Sequence, residues 1–196
     1  FCAGADITSL GSHDDYQAVN ERAEEGLASL PQPTIAFLSG SCVGGGAQLA
    51  FACDIRIADD RLRAGITPAR LGIVYPPYSI ERAVRQLGQS ATKYLLYSAE
   101  LIDADRALRI GFTDEVHPGT AAEARLEQLV RLLADERSAL TQQASKELVE
   151  AAAAGGIDRA HHRRWEELAY GSSDFVEGVT AFAEKRAPAF TWSPTR

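Results

Sequence analysis

The sequence predicts an α/β fold that gives way to a helical C-terminal region. Three observations carry that reading. An apolar run at 34–38 leads to three consecutive glycines, Gly44 to Gly46, and then to a small, apolar stretch at 47–53. Ile55 and Ile57 next alternate with Asp54 and Arg56, so the order is strand, tight turn, helix, strand. That order describes a crossover unit of a layered α/β arrangement. From Thr120 onward the apolar residues recur at helical spacing.

The elements follow in order. Ala3-Gly-Ala-Asp6 allows close backbone approach, and Asp6 caps or begins a short helix. Ser12 is the expected N-cap of the next helix, with Asp15 three residues on. Tyr16, Val19, Ala23, Leu27 and Leu30 recur along it at helical spacing, and Pro31 and Pro33 end it. Strands are expected at 34–38, from 55, and at 62–66. Residues 67–77 are rich in breakers and read as a loop with one turn, the kind of long loop that is often functional. Ser79 is the expected cap of a helix carrying Ile80, Val84 and Leu87, closed by Gly88. Ser90 would cap the next, with Tyr94, Leu95 and Leu96 buried. Asp103 caps a helix over 104–110 stopped by Gly111, and 112–116 pair as a strand. One further helix places Leu126, Leu129, Val130 and Leu133 on one face. Others cover 140–154, closed by Gly155-Gly156, then 157–170, and 174–185, stopped by Pro188. The change at about residue 117 divides a core of residues 1–116 from a helical region of 117–196 that is suited to self-association.

Composition narrows the function. A length of 196 residues suits one domain, or one with an appendage, and can bury a sizeable core. A net charge of −7 argues against a general nucleic-acid or anionic-membrane binder. Cys2, Cys42 and Cys53 form no Cys-x-x-Cys pair, which points to a reducing, cytoplasmic setting. There is no signal-peptide pattern and no apolar run of membrane-spanning length. The chain opens on Phe1 and contains no Met, so the native N-terminus is expected upstream.

The triple glycine is the first candidate site. Glycines cost backbone entropy on folding. Taken alone, the run reads first as a turn that lets a helix pack on a sheet. The functional reading is that a ligand approaches the main chain, where unpaired N–H groups at the helix start would meet an oxygen that becomes negative. Other candidates carry less. His13, His117, His161 and His162 lack metal-ligand spacing, and no metal is expected. Ser39 and Ser41 lack a Gly-x-Ser-x-Gly elbow. The glycines lack a following Lys-Ser/Thr and the dinucleotide fingerprint. Arg159, Arg163 and Arg164 read as a solvated face.

Two stretches together are more specific. Phe-Cys-Ala-Gly-Ala-Asp-Ile at 1–7 resembles the first signature of the crotonase, or enoyl-CoA hydratase/isomerase, superfamily. Gly-Gly-Gly-Ala-Gln-Leu-Ala at 44–50, with Cys53-Asp54 behind it, resembles the second. Residues 67–72, 102–111 and 182–190 are similar to further family segments, in the family's order. The resemblance implies a spiral of ββα units, a C-terminal region that forms trimers or hexamers, and an acyl-CoA substrate. Coenzyme A comes as part of that substrate, with no separate cofactor, and fatty acid metabolism is the implied setting. By position, the backbone N–H groups of Ala5 and Gly45 form an oxyanion hole. Ala3, Asp6 and Lys185 fall where the family holds the CoA portion; for Lys185, compensation of a helix dipole is an equal reading.

The departures matter as much. Family hydratases use two glutamates to handle water; the corresponding positions hold Gln48 and Ala69. Gln does not exchange protons near neutral pH, and Ala has no polar group. The region near Pro76 and Pro77, where isomerase relatives place an acid, has no carboxylate either. Thr-Pro-Ala-Arg-Leu-Gly-Ile-Val-Tyr at 67–75 resembles the matching stretch of methylmalonyl-CoA decarboxylases, Tyr75 included, although those tend to carry His where Ala5 stands. Decarboxylation needs no base, and an active-site carboxylate would repel the substrate's own. In that reading Tyr75 orients the leaving carboxylate or helps protonate the product, while Thr67 and Gln48 hydrogen-bond the acyl end. Tyr75 fits a packed loop tyrosine equally well. The alternatives are an enoyl-CoA hydratase or isomerase with acids from elsewhere, and a non-catalytic acyl-CoA-binding subunit.

Overall fold

The computed structural model describes residues 1–7 and 16–193, so the expected cap Ser12, its partner Asp15 and His13 lie outside the described residues. After α1 (Tyr16–Ala28), two ββα units follow in succession. In the first, β1 (Ile35–Leu38) and β2 (Ser41–Val43) lead into α2 (Gly45–Ala52). In the second, β3 (Ile55–Asp59) and β4 (Arg63–Gly65) lead through a 3-10 turn, Pro68–Arg70, into α3 (Pro77–Ser98). β5 (Ile102–Asp103), α4 (Ala104–Arg109) and β6 (Glu115–His117) come next. The first strand of each unit joins one sheet and the second joins another. β1, β3 and β6 are parallel, with Ile35 opposite Ile55 and Ile57 opposite Glu115. β2 and β4 are parallel, and β5 runs antiparallel to β4. A parallel bridge between Cys2 and Cys42 lays the start of the chain beside β2.

β2 was not expected. Gly40, at φ 69°, turns the chain after β1, and three residues are too few for an alternation to register. β3 does not alternate, because Arg56, Ile57, Ala58 and Asp59 are all buried, as in a parallel strand covered on both faces. Its polar members are largely partnered, with Arg56 Nε the buried exception. Arg56 donates to Asp114 Oδ1 and to the Cys53 carbonyl, each at 3.1 Å. Asp59 accepts from Ser39 Oγ at 2.7 Å and from the Arg61 amide at 3.0 Å. Burial pushes its carboxyl up, but the bonds from Ser39 and Arg61 outweigh this and hold it below the usual range. Asp103 caps α4 as expected, accepting from the Arg106 amide at 2.9 Å.

Three expectations need correction. α3 is two helical segments that meet at a kink at Gly88, φ 72°, where the first was expected to close, but the expected caps are not where they were placed. Pro77 starts it, Ser79 is a buried side chain rather than a cap, and Ser90 lies inside the second segment. Tyr94 is 38% exposed, with the Arg106 guanidinium over its ring. The buried side chain of α1 is not on the apolar stripe. Val19, Ala23 and Leu30 are exposed, whereas Glu24 is buried and donated to by Arg82 Nη1 at 3.0 Å. Burial pushes the Glu24 carboxyl up to about 7, against the pull of Arg82.

The core of this part includes Leu38, Ile57, Leu62, Leu95 and Phe112, all fully buried. Phe51 of α2 meets Phe112 edge to face, with centroids 4.8 Å apart. α2 begins on small residues because other chain segments press on its first turn. A Cβ added to Gly46 would lie 2.3 Å from the Cys2 carbonyl oxygen.

The chain divides into two compact units: residues 1–30 with 34–126, and residues 31–33 with 127–196. α5 (Thr120–Asp135) crosses the division, and α6 (Ala139–Ala153), α7 (Arg159–Tyr170) and α8 (Ser173–Glu184) complete the second unit. In it, Asp174 is buried and accepts from Ser138 Oγ at 2.7 Å and the Thr191 amide at 2.9 Å. No described helix is long and apolar enough to cross a membrane.

Three stability measurements check this account. Gly46→Ala forces a clash with the Cys2 backbone and is expected to cost about 1–3 kcal/mol in urea unfolding. Gly26→Ala, at an exposed α1 position with nothing within 4 Å, is expected to stabilise by roughly 0.5–1 kcal/mol. For Glu24, the folded state holds its proton up to about pH 7, while the unfolded state releases it near 4.5. The folded state therefore binds more protons between those values, and stability falls as pH rises through that window. Glu24→Gln is expected to flatten the decline in urea midpoint between pH 5 and pH 7.

Candidate active site

A cavity of about 370 Å³ opens in the first unit, lined by part of α1 and by three further chain segments. These are the opening residues Ala3 to Ala5, the glycine turn with the first turn of α2, and the loop between β4 and α3. The contacts are close. A Cβ on Gly4 would meet the Val43 carbonyl oxygen at 2.9 Å, and one on Gly44 would lie 3.5 Å from the Tyr75 hydroxyl. A Cβ on Gly45 would lie 3.8 Å from the Ala5 nitrogen and 3.7 Å from Gln48 Oε1.

The local backbone explains the glycines. Gly44 has φ 59°, where a side chain would be strained, and its amide donates to the Gly65 carbonyl at 3.0 Å. Its own carbonyl receives the Gln48 amide at 3.1 Å. Gly45 is the first residue of α2, so its N–H has no intrahelical acceptor. Among the described residues, neither the Gly45 amide nor the Ala5 amide donates a hydrogen bond. Two main-chain donors thus stand close together at one end of the cavity, able to receive an anionic oxygen.

Among the described residues, the wall carries no ionic side chain. Among the described residues, its side-chain polar groups belong to Gln17, Asn20, Gln48, Thr67, Tyr75 and Tyr78, and none of the lining residues is Asp, Glu, His, Lys, Arg or Cys. Gln48 Nε2 donates to Ser79 Oγ at 2.7 Å. Ile7, Val43, Leu71, Ile73 and Val74 supply apolar surface. No group of three or more His, Cys, Asp or Glu among the described residues could hold a metal ion.

Of the residues singled out by sequence, Ala3, Ala5, Gly45, Gln48, Thr67 and Tyr75 line this one cavity. Asp6 is exposed and does not line it. Lys185 belongs to the second unit, where it ends α8 at φ 55°. Ala69 is exposed in the 3-10 turn and also lies outside the lining. Sequence reasoning missed Gln17, Asn20, Tyr78 and Ser79. The first two stand one turn apart on α1, a polar pair at the i, i+3 spacing that can mark a helix face.

The geometry has counterparts elsewhere. The enoyl-CoA hydratase/isomerase family matches residues 1–193. A probable enoyl-CoA hydratase of Bacillus subtilis (strain 168) is 34% identical over 97% of this chain and 77% of its own. An enoyl-CoA isomerase/hydratase of Mycosarcoma maydis is 30% identical over 97% of this chain and 72% of its own. The crystal structure of an enoyl-CoA hydratase/isomerase family member superposes with a TM-score of 0.93 at 35% identity, over 100% of this chain and 78% of that one. With two ββα units and a glycine turn packed against the opening residues, the chain belongs to the enoyl-CoA hydratase/isomerase family and has its crotonase-like α/β fold.

Proposed function

We propose that the protein converts a short acyl-CoA thioester through an enolate whose oxygen is held by the Ala5 and Gly45 amides. We further propose that the enolate arises by decarboxylation of a malonyl-type CoA ester. The observation that carries this reading is the cavity wall, which among the described residues offers donors and apolar surface but no carboxylate, imidazole or amine to serve as a base. Hydration needs side chains that exchange protons with water. Loss of CO2 creates the enolate without one.

A neutral wall also suits decarboxylation energetically. A cation there would stabilise the substrate's carboxylate and deepen the ground state. Without it, the carboxylate loses solvation on binding and recovers stabilisation only as its charge moves to the thioester oxygen. Two aimed N–H groups meet that oxygen, each worth about 3–4 kcal/mol in the transition state. In this reading Tyr75 orients the departing carboxylate or protonates the product, Thr67 and Gln48 contact the acyl end, and Ala3 and Asp6 meet the CoA portion. Exposed Phe175, Val176, Val179 and Phe182 on α8 support self-association, with a homotrimer or hexamer as the proposed form.

The names of the relatives favour a second reading, an enoyl-CoA hydratase or isomerase whose acids come from outside the described wall. The two separate on methylmalonyl-CoA and crotonyl-CoA assayed side by side. Propionyl-CoA formed from the first with the second untouched is the expected result. Brisk loss of the crotonyl absorbance without propionyl-CoA would reverse the assignment. Gly45→Pro removes one donor at the first helical position, which tolerates proline, and is expected to lower kcat by about 100- to 1000-fold with unchanged circular dichroism. A folded variant at the wild-type rate would refute the oxyanion role.

A further inference from the structure

Gln48 and Tyr75 belong to two cavities at once. In front is the main cavity; behind is a space of only about 10 Å³. Ser79 lines the inner space and not the main one, and is 4% exposed. Its Oγ takes the hydrogen bond from Gln48 Nε2 at 2.7 Å. Most of the inner lining is apolar, including Phe51, Ile66, Ile80 and Leu96. With Nε2 held behind the wall, Oε1 lies 3.7 Å from the Cβ position of Gly45, which is itself 3.8 Å from the Ala5 nitrogen. Gln48 thus places its acceptor oxygen beside the Gly45 turn, while one of its N–H groups is spent on Ser79.

We propose that Ser79 is a positioning residue that fixes the Gln48 carboxamide with its oxygen facing the reacting end of the cavity. The proposal rests on the reading of this cavity as a thioester enolate site. It assigns Gln48 a task other than proton transfer. An acceptor oxygen repels a substrate carboxylate on that side, so the carboxylate is bound without a compensating donor there. Removing the Ser79 hydroxyl frees the carboxamide to rotate and offer its NH2 group to the carboxylate. That stabilises bound substrate more than the transition state, in which the charge has moved to the thioester oxygen. The signature is a fall in kcat together with a fall in KM, the pattern of relieved ground-state destabilisation.

The test compares wild type, Ser79→Ala and Ser79→Thr in the full chain. Steady-state kinetics on methylmalonyl-CoA are expected to show kcat about tenfold lower and KM also lower in Ser79→Ala, with both restored in Ser79→Thr, which keeps the hydroxyl. Equilibrium binding uses succinyl-CoA and butyryl-CoA, which differ by a carboxylate and need not react. Their affinity ratio is expected to shift about tenfold toward succinyl-CoA in Ser79→Ala. An unchanged ratio, or a fall in kcat with KM unchanged or raised, would overturn the proposal. The binding arm reads Ser79 even if no methylmalonyl-CoA is consumed, so that failure would count against decarboxylation alone.

Discussion

The rest of the site depends on one close approach, that of the opening residues to the glycine turn. Cys2 bridges to Cys42, and its carbonyl oxygen lies where a Cβ on Gly46 would stand, 2.3 Å away. Any side chain there pushes the two segments apart. The same approach leaves a Cβ on Gly4 no room against the Val43 carbonyl oxygen. With both positions bare, the Ala5 and Gly45 amides come together without a partner among the described residues. Main-chain donors held this way have little reorganising left to do when charge develops in front of them.

The electrostatic character of the cavity follows from what surrounds it. The chain carries a net charge of −7, yet no described carboxylate lines the cavity. Carboxylates that are buried nearby in the fold are spoken for: Asp59 by Ser39 and Arg61, and Glu24 by Arg82. Among the described residues, the polar groups that line the cavity are amides and hydroxyls. Such groups can orient a substrate and present donors to it.

Much of this was legible in the sequence, for physical reasons that differ by element. The 34–38 run is a strand because it is apolar and bounded by breakers, and α2 is rich in small and apolar residues because most of it is buried. Asp103 announces α4 because capping is a local interaction. Long-range choices were not legible. Ser79 has the residue type of a cap but spends its hydroxyl on Gln48, 31 positions away. The buried α1 position is Glu24 rather than the apolar stripe, because Arg82 of α3 supplies a partner that no local pattern reveals. β2 is fixed by pairing with β4 and by the Cys2 bridge, not by its own three residues. The site residues Ala5, Gly45, Gln48 and Tyr75 could be named from motifs, but their convergence on one neutral cavity needed the fold.

The most direct measurement of the central claim is a crystal structure of the protein with a bound acyl-CoA thioester. The account predicts the thioester oxygen about 2.7–3.1 Å from both the Ala5 and Gly45 nitrogens, with Gln48 and Tyr75 near the α-carbon and no carboxylate of the protein within reach of it. A thioester oxygen bound elsewhere, or an Asp or Glu side chain seated against the α-carbon, would contradict it.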